Sequence, residues 1–498
     1  MSLQAALSTA LSSLAAEQRQ SALIANNIAN ANTEGYVRRD LPRSESLVGG
    51  TGAGVSTGTV KRAADTALAA ASRTASANES YAGTLQGLLE AYTAKIGQAS
   101  DERSISHRLG AFQTAMTTLS AEPSNAVAQS QTLSSAQDLV DSLHDMASAV
   151  STARSDADLS VARDVDAVNS ALDSLAEIDR QMAHASARGA STAEFEDKRD
   201  ALIAKIGTVV PLRVFDNGPG QLILMSDGGN TLYDSTTVHH LSFTHTPEIP
   251  AGSRSTGSEV KVNGQVLRTS ESGSIAAALT LRDQTLPNFS DMLDQVAGRL
   301  VDAFQEADST LAGTLGGTPP KSFGLFINKA ISADGWDPGD PGVPRVGSSV
   351  SGLASSIGVN PLADPGQGGQ LWRLRAGFGS SATETGNASD NRLILASLNA
   401  MDKIRNYASG TGLPSKMSLS QAASQSVGLM QSERAVWTDR ATSRSALALQ
   451  AREELTNKTA VNIDEELQRL MLVQQTYSAS VQIIQAAAKM LEELSQIR

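Results

Sequence analysis

Near the start of the chain large apolar side chains recur at Leu3, Leu7, Leu11, Leu14, Ile24 and Ile28, with Ala10 and Ala25 between them. Steps of three and four put these residues on one helical face. The helix is expected to stop near Asn30, because Asn32-Thr33-Glu34-Gly35 supplies turn chemistry and Gly35 tolerates positive φ. Residues 47–60, LVGGTGAGVSTGTV, switch to glycine spacing and Val/Thr alternation, which predicts a short β-ribbon or extended arm. Helical spacing resumes over 63–207, with stripes at Tyr81, Leu85, Leu88, Tyr92 and Ile96, at Leu133 to Val150, at Leu172 to Met182, and at Phe195, Leu202 and Ile206. Pro123 and Gly189 divide this stretch into rods. From Val209-Val210-Pro211 the period falls to two, and QLILMSDGGNTLYD flanks a hairpin signal at 227–230.

Residues 286–307 return to helix through Phe289, Leu293, Val296, Leu300 and Phe304. The next stretch is rich in Gly, Pro, Asp and Ser and reads as loop and irregular β structure. The tail is the most regular segment: Ile463, Leu467, Leu470, Gln474, Tyr477, Val481, Ile484, Ala488, Leu491 and Ser495 follow steps of four and three, a heptad seam. The expected fold is therefore multidomain α+β. Terminal helices pair as a coiled coil (1–62 with 455–498). A long helical bundle comprises 63–207 with 285–310 and 425–454, a β-rich domain is inserted at 208–284, and 311–424 forms an irregular β/loop outer region.

A helix with one apolar stripe cannot bury it alone, and most helical stability comes from tertiary packing. The two ends are thus expected to be poorly ordered in a free monomer and to be completed by neighbouring copies. Asn26, Asn27 and Asn30 lie three and four residues apart, beside Ile24, Ile28, Ala25 and Ala29. Each amide carries two donors and an acceptor with two lone pairs, so the asparagines are expected to set register between close-packed helices.

Composition narrows the function. With 40 Lys+Arg against 52 Asp+Glu the net charge is -12, which argues against nucleic acid as a partner. There is no cysteine, which removes disulfides, thiolate metal sites and cysteine nucleophiles. The N-terminal stretch has no basic residue before Arg19 and no apolar block, so no cleaved signal peptide is expected. No apolar run approaches the roughly 18 residues of a membrane span, and the first helix is too poor in basic residues for a lipid surface. His239, His240 and His245 are the best metal candidates, but alternation along a strand would separate His240 from the other two, and they are expected to be ordinary sheet-surface histidines. Asp334, Asp337 and Asp340 lack the alternation of a calcium loop. His107, His144 and His184 stand singly on helices, and Trp336, Trp372 and Trp437 are scattered, pointing to packing. With no nucleophile elbow or phosphate loop, no enzyme, cofactor or metal is expected.

The run IANNIANANTEGY at 24–36 resembles the signature of the bacterial flagellar axial family of rod, hook and hook-associated proteins. GAGVSTGTVKRAAD at 52–65 is similar to the family's ribbon, and VNIDEELQRLMLVQQTYSAS at 461–480 to its C-terminal helix start. Glu34 stands where many relatives have proline. The helical block RLGAFQTAMTTLSAEPSNAVAQSQTLSSAQDLVDSLHDM, with LPNFSDMLDQVAGRLVDAF and SDNRLILASL, is similar to the hook-associated branch, while 315–375 matches it poorly. The resemblance implies an extracellular structural subunit of the flagellum, exported by a type III route without a cleaved signal and joining hook to filament. Its partners would be further copies of itself, the hook protein, a second hook–filament junction protein, and an export chaperone on the C-terminal helix. Assembly residues would be Leu7, Leu11, Leu14, Ile24, Asn26, Asn27, Ile28, Asn30 and Tyr36 at one end. At the other they would be Ile463, Leu467, Leu470, Tyr477, Val481, Ile484 and Leu491. The alternatives are another rod- or hook-type subunit, or a surface-displayed adhesin or enzyme anchored by these helices.

Overall fold

A computed structural model describes residues 3–48, 51–218, 221–253, 257–311, 324–329, 351–379, 382–385 and 387–496. Asp334, Asp337, Asp340 and Trp336 lie outside the described residues. Helix α1 (Leu3–Ala29) ends where Asn30 and the Thr33-Glu34-Gly35 turn take over, with Gly35 at φ 77°. Four strands follow: β1 (Arg39–Asp40), β2 (Arg43–Val48), β3 (Thr51–Thr57) and β4 (Lys61–Arg62). β2 and β3 form an antiparallel ribbon, and β1 pairs with β4 at its base. The ribbon starts four residues before the apolar signal at Leu47, because its first strand is polar and carries no hydrophobic alternation.

The body is built on long helices: α2 (Thr66–Ile96), α3 (Ile105–Ala121), α4 (Ala126–Ala187) and α5 (Ala193–Val209). Their starts are capped by Asp65, Ser104 and Asn125, whose side chains accept from first-turn backbone N–H groups, except at α5, where Thr192 makes no such bond. α4 is the spine. Its first half joins α2 and α3 in a core with Leu85, Leu89, Tyr92, Phe112 and Leu143, while Val161, Val165, Val168, Leu172 and Leu175 on its second half serve another core.

That second core is roofed by two small antiparallel sheets. One runs through β5 (Leu212–Asp216), β6 (Leu222–Ser226) and β7 (Thr231–Asp234), turning at the anticipated 227–230 hairpin; the other contains β8 (Leu241–Ser242), β9 (Lys261–Val262) and β10 (Gln265–Val266). Asn169 on α4 donates to Leu241 O (2.9 Å) and accepts from Leu241 N (2.8 Å), which clamps β8 to the spine. The strands contribute Leu222, Leu224, Leu232 and Val262, and the residue before β9 adds Val260, to a core shared with α4 and α5.

Helix resumes inside the stretch read as β-rich, at α6 (Ser274–Thr280). It passes through a π-helical turn at Leu281–Thr285 into α7 (Leu286–Ala307). The run of Ile275, Ala276, Ala277 and Ala278 is too short to show a helical period, and its burial on α4 decides the outcome. Two further corrections concern 311–424. Beyond β11 (Phe326–Asn328), α8 (Leu353–Ser356) and β12 (Ile357–Val359), the stretch holds α9 (Arg373–Ala376) and the eleven-residue α10 (Arg392–Asp402). Composition hid α10 because glycine, asparagine and aspartate crowd its flank, yet Ile394, Ser397, Ala400 and Met401 follow helical spacing into the first core. After β13 (Arg405–Asn406) and β14 (Lys416–Met417), the capping box of Ser418 and Gln421 starts α11 (Leu419–Thr459), and a short turn leads to α12 (Ile463–Gln496).

α7 fills the first core from within. Tyr92 stacks on Phe289 (5.5 Å between ring centroids), and Phe304 packs on Phe112 and Phe326. Its buried Asp294 accepts from Gly352 N and Ala354 N (both 2.8 Å), so a charge inside the core anchors the loop leading into α8. Between the two cores lies a buried polar boundary. Arg282 in the π-turn bonds Asp158 and Asp283, and Asp158 also accepts from Thr246 N (2.7 Å).

Candidate assembly interface

α1 and α12 run antiparallel, Asn27 lying against Glu466 and Ser13 against Ser480. The α12 side chains buried in this hairpin are Glu466, Val473, Ser480 and Ala487, each seven residues from the last, and those of α1 are Ala10, Ala16, Glu17, Gln20, Ile24 and Asn27. A heptad is present, but it is made of small and polar side chains. The apolar stripes read from the sequence sit mostly elsewhere. Ile24 alone of the named apolar residues is fully buried, Leu7, Leu14, Ile28, Leu470, Val481 and Ile484 are half-buried, and Leu11, Ile463, Leu467, Tyr477 and Leu491 are exposed. The physical reason is that α12 carries apolar residues around most of its circumference. Small residues let the two backbones approach, and Met471 (58 % exposed) and Leu472 (62 % exposed) are left on the outside with the rest.

At the root of the hairpin one asparagine uses its whole bonding capacity. Buried Asn27 donates to Arg39 O (2.9 Å) and to Glu466 Oε2 (3.3 Å), and its Oδ1 accepts from the Tyr36 hydroxyl (2.8 Å) and from Arg39 N (3.2 Å). The helix, the turn after it and the start of α12 are thereby held at one point. Burial raises the pKa of the Tyr36 phenol. Asn26 and Asn30 do something different from the register role expected of them. Asn30 Nδ2 donates to Asn26 O (2.9 Å) and Asn26 Oδ1 (3.0 Å), and its Oδ1 accepts from Thr33 (3.3 Å), so the pair finishes the helix locally. Both stand near the solvent side, where bonding to the nearest backbone is the available option.

The ribbon lies on the same helix. Arg43 pairs with the buried Glu17 (2.8 Å), Arg19 donates to Thr57 Oγ1 (2.8 Å), and Ser12 Oγ accepts from Val55 N (3.1 Å). Gly54, at φ 123°, passes so close that a Cβ there would stand 2.1 Å from Ser12 Oγ. At the ribbon's base Arg38 N donates to Thr459 O (2.8 Å) while its guanidinium reaches Glu465 (3.4 Å). Arg62 meets three carboxylates of α5, Glu196 (3.4 Å), Asp197 (2.7 Å) and Asp200 (2.7 Å), and Arg39 shares Asp197 (3.2 Å). Burial raises the Asp197 carboxyl, and the two guanidiniums oppose that rise. Of these residues only Arg62 is marked in the sequence, as the first residue of the Arg-x-x-Asp that closes the ribbon motif; Glu17, Arg39, Arg43, Asp197 and Glu466 are not. The charged run Arg38-Arg39-Asp40, starting two residues after Tyr36, was the available signal.

The histidines are placed apart, each beside its own carboxylate: His239 by Asp234 (3.3 Å), His240 by Asp173 (2.8 Å) and His245 by Asp158 (2.8 Å). Trp437 packs edge-on against Tyr81 with Arg440 over its face, and Arg373 covers Trp372. Among the described residues no helix is long and apolar enough to cross a membrane.

Known proteins share these parts. The family described as flagellar hook-associated protein FlgK helical domain matches residues 96–318. The flagella basal body rod protein family matches 7–36, and the flagellar basal body rod FlgEFG protein C-terminal family matches 456–497. Flagellar hook-associated protein 1 of Bacillus subtilis is 26% identical over 235 residues, 45% of this chain and 46% of that one. Its namesake from Salmonella typhimurium is 25% identical over 311 residues, 59% of this chain and 55% of that one. The chain thus spans about half the length of these relatives. The flagellar hook junction protein FlgK from Burkholderia pseudomallei has a similar fold, with a TM-score of 0.57 at 13% identity over 77% of this chain and 98% of that one. Its two ends are similar to those of flagellar axial proteins of the rod and hook class. Its helical body carries the likeness further, to the flagellar hook-associated protein FlgK helical domain and to the proteins that carry it.

Proposed function

We propose that this chain is a non-enzymatic structural subunit joining the flagellar hook to the filament, and that it polymerises through the outer faces of α1 and α12. The observation that carries this reading is the inversion within the hairpin: Ala, Ser, Gln, Asn and Glu, with only Ile24 and Val473 among them, are buried, while Leu11, Ile463, Leu467, Met471, Leu472, Ile483, Met490 and Leu491 face out. Full burial of such a side chain is worth about 1.5–3 kcal/mol, so covering these half-exposed ones contributes on the order of 1 kcal/mol each. Exposed large apolar side chains recurring along one helix mark a partner-binding face. The partners proposed are neighbouring copies, the hook protein on one side and the second junction protein on the other. A chaperone would cover α12 before export through the flagellar type III route, without a cleaved signal. A detachable adhesin or enzyme module is disfavoured, because α7 and α10 from the middle of the chain fill the same core as α2, α4 and α11.

The test replaces Leu467, Met471 and Leu472 together by serine. The expected outcome is a chain that keeps its helical content and melting temperature in solution, fails to enter the hook tip, and leaves filament protein shed into the medium. Normal filament retention by that variant would overturn the reading.

A further inference from the structure

The chain crosses from the terminal hairpin to the helical body at two places, between β4 and α2 (Arg62 to Thr66) and between α11 and α12 (Thr459 to Ile463). Two crossings define an axis about which one part can still turn on the other. A third, non-covalent attachment exists at the same level. We propose that Arg39 and Arg62, held by Glu196, Asp197 and Asp200 of α5, are an electrostatic latch that fixes the angle between hairpin and body. The proposal rests on the assembly reading above and adds what keeps the assembled subunit stiff.

The two sides of the latch are independently anchored. On the hairpin side, Asn27 bonds both the N–H and the C=O of Arg39, so the Arg39 guanidinium moves with α1. On the body side, the turn of α5 bearing the three carboxylates continues into Ile203 and Ile206, which are buried in the second core. The line Asn27–Arg39–Asp197 therefore links hairpin to body without following either covalent crossing. The strand pair adds a condition. Arg39 and Arg62 are directly opposite each other across β1 and β4. Like charges at opposed positions destabilise a strand pair. Asp197 bonds both arginines, and Glu196 and Asp200 complete the neutralisation, so the base of the ribbon closes on condition that α5 is docked. The Arg62 side chain is only 6% exposed, which keeps water and salt from replacing its partners.

The chain contains no cysteine, so the variant carrying Gln482→Cys on α12 and Lys205→Cys on α5 can be spin-labelled at those two positions alone. Labelled chain is assembled into hook–filament junctions with excess unlabelled chain, and the distance between labels is read by pulsed electron resonance. Without further change a single narrow distance is expected. With Asp197→Asn and Asp200→Asn added, the narrow peak is expected to be lost to a broad or displaced distribution, while the melting temperature of the helical body holds and filaments stay attached. An unchanged narrow peak overturns the latch. Loss of incorporation with an intact melting transition also overturns it, since the carboxylates would then serve assembly contacts and not the angle. Failure of the unlabelled parent chain to enter junctions would instead count against the proposed function.

Discussion

A buried primary amide is costly unless both its donors and both its lone pairs are used, and Asn27 uses all four. Asn27→Ala strands Glu466 Oε2, the Tyr36 hydroxyl and the backbone of Arg39, and is expected to cost the hairpin about 3 kcal/mol. Asn26→Ala, on the exposed side, is expected to stay within about 0.5 kcal/mol. Filament retention measured against temperature separates them: early shedding for the first, none for the second. The sequence shows that asparagines matter here but not which one. Its rank depends on Tyr36 and Arg39 folding back over it and on Glu466 arriving from the far end of the chain, and spacing along one helix contains neither fact. Local turn chemistry needs no such arrival, which is why the stop at Asn30 and the left-handed Gly35 were legible.

For single elements the period was readable and the facing was not. A heptad in α12 is visible because apolar residues recur, yet α12 has more of them than one neighbour can cover, and the hairpin selects Val473, Ser480 and Ala487. α10 was hidden by the glycine- and aspartate-rich company it keeps. The ribbon illustrates the opposite case, where a glycine signal has a definite cause: Gly54 combines a left-handed φ with the approach to Ser12. Gly54→Val is expected to lift β2 and β3 off α1 at about 1–3 kcal/mol of backbone strain plus the lost Ser12 bond. Limited proteolysis should then cut within 43–57 in assembled material that is otherwise resistant. Resistance equal to that of the parent chain would show that the ribbon's seat on α1 does not depend on this glycine.

Across the molecule, two helices lie side by side over the boundary between the cores: α4, and α6 with α7 running back along it, as the contacts of Asp164 with Ser274 and of Asp158 with Arg282 show. α4 is regular throughout, whereas its companion inserts the π-turn at Leu281–Thr285. A π-turn adds one residue to a helix, which rotates everything beyond it by about 100°. That rotation lets Ile275 and Ala278 face the sheets while Leu286, Phe289 and Leu293 face the other core. Deleting Gln284 removes the added residue together with the turn that absorbs it. It would restore an unbroken α-helix with both flanks in their present phase, and is expected to leave the melting temperature followed by circular dichroism unchanged or to raise it; a fall would show that the turn does more than absorb the extra residue. The turn thus acts as a vernier between two gauges of slightly different phase. Lineages that lengthen or trim this protein are free to do so in the loops at either end of these two helices, but a single residue gained or lost along the shared track away from this turn would throw the gauges out of step.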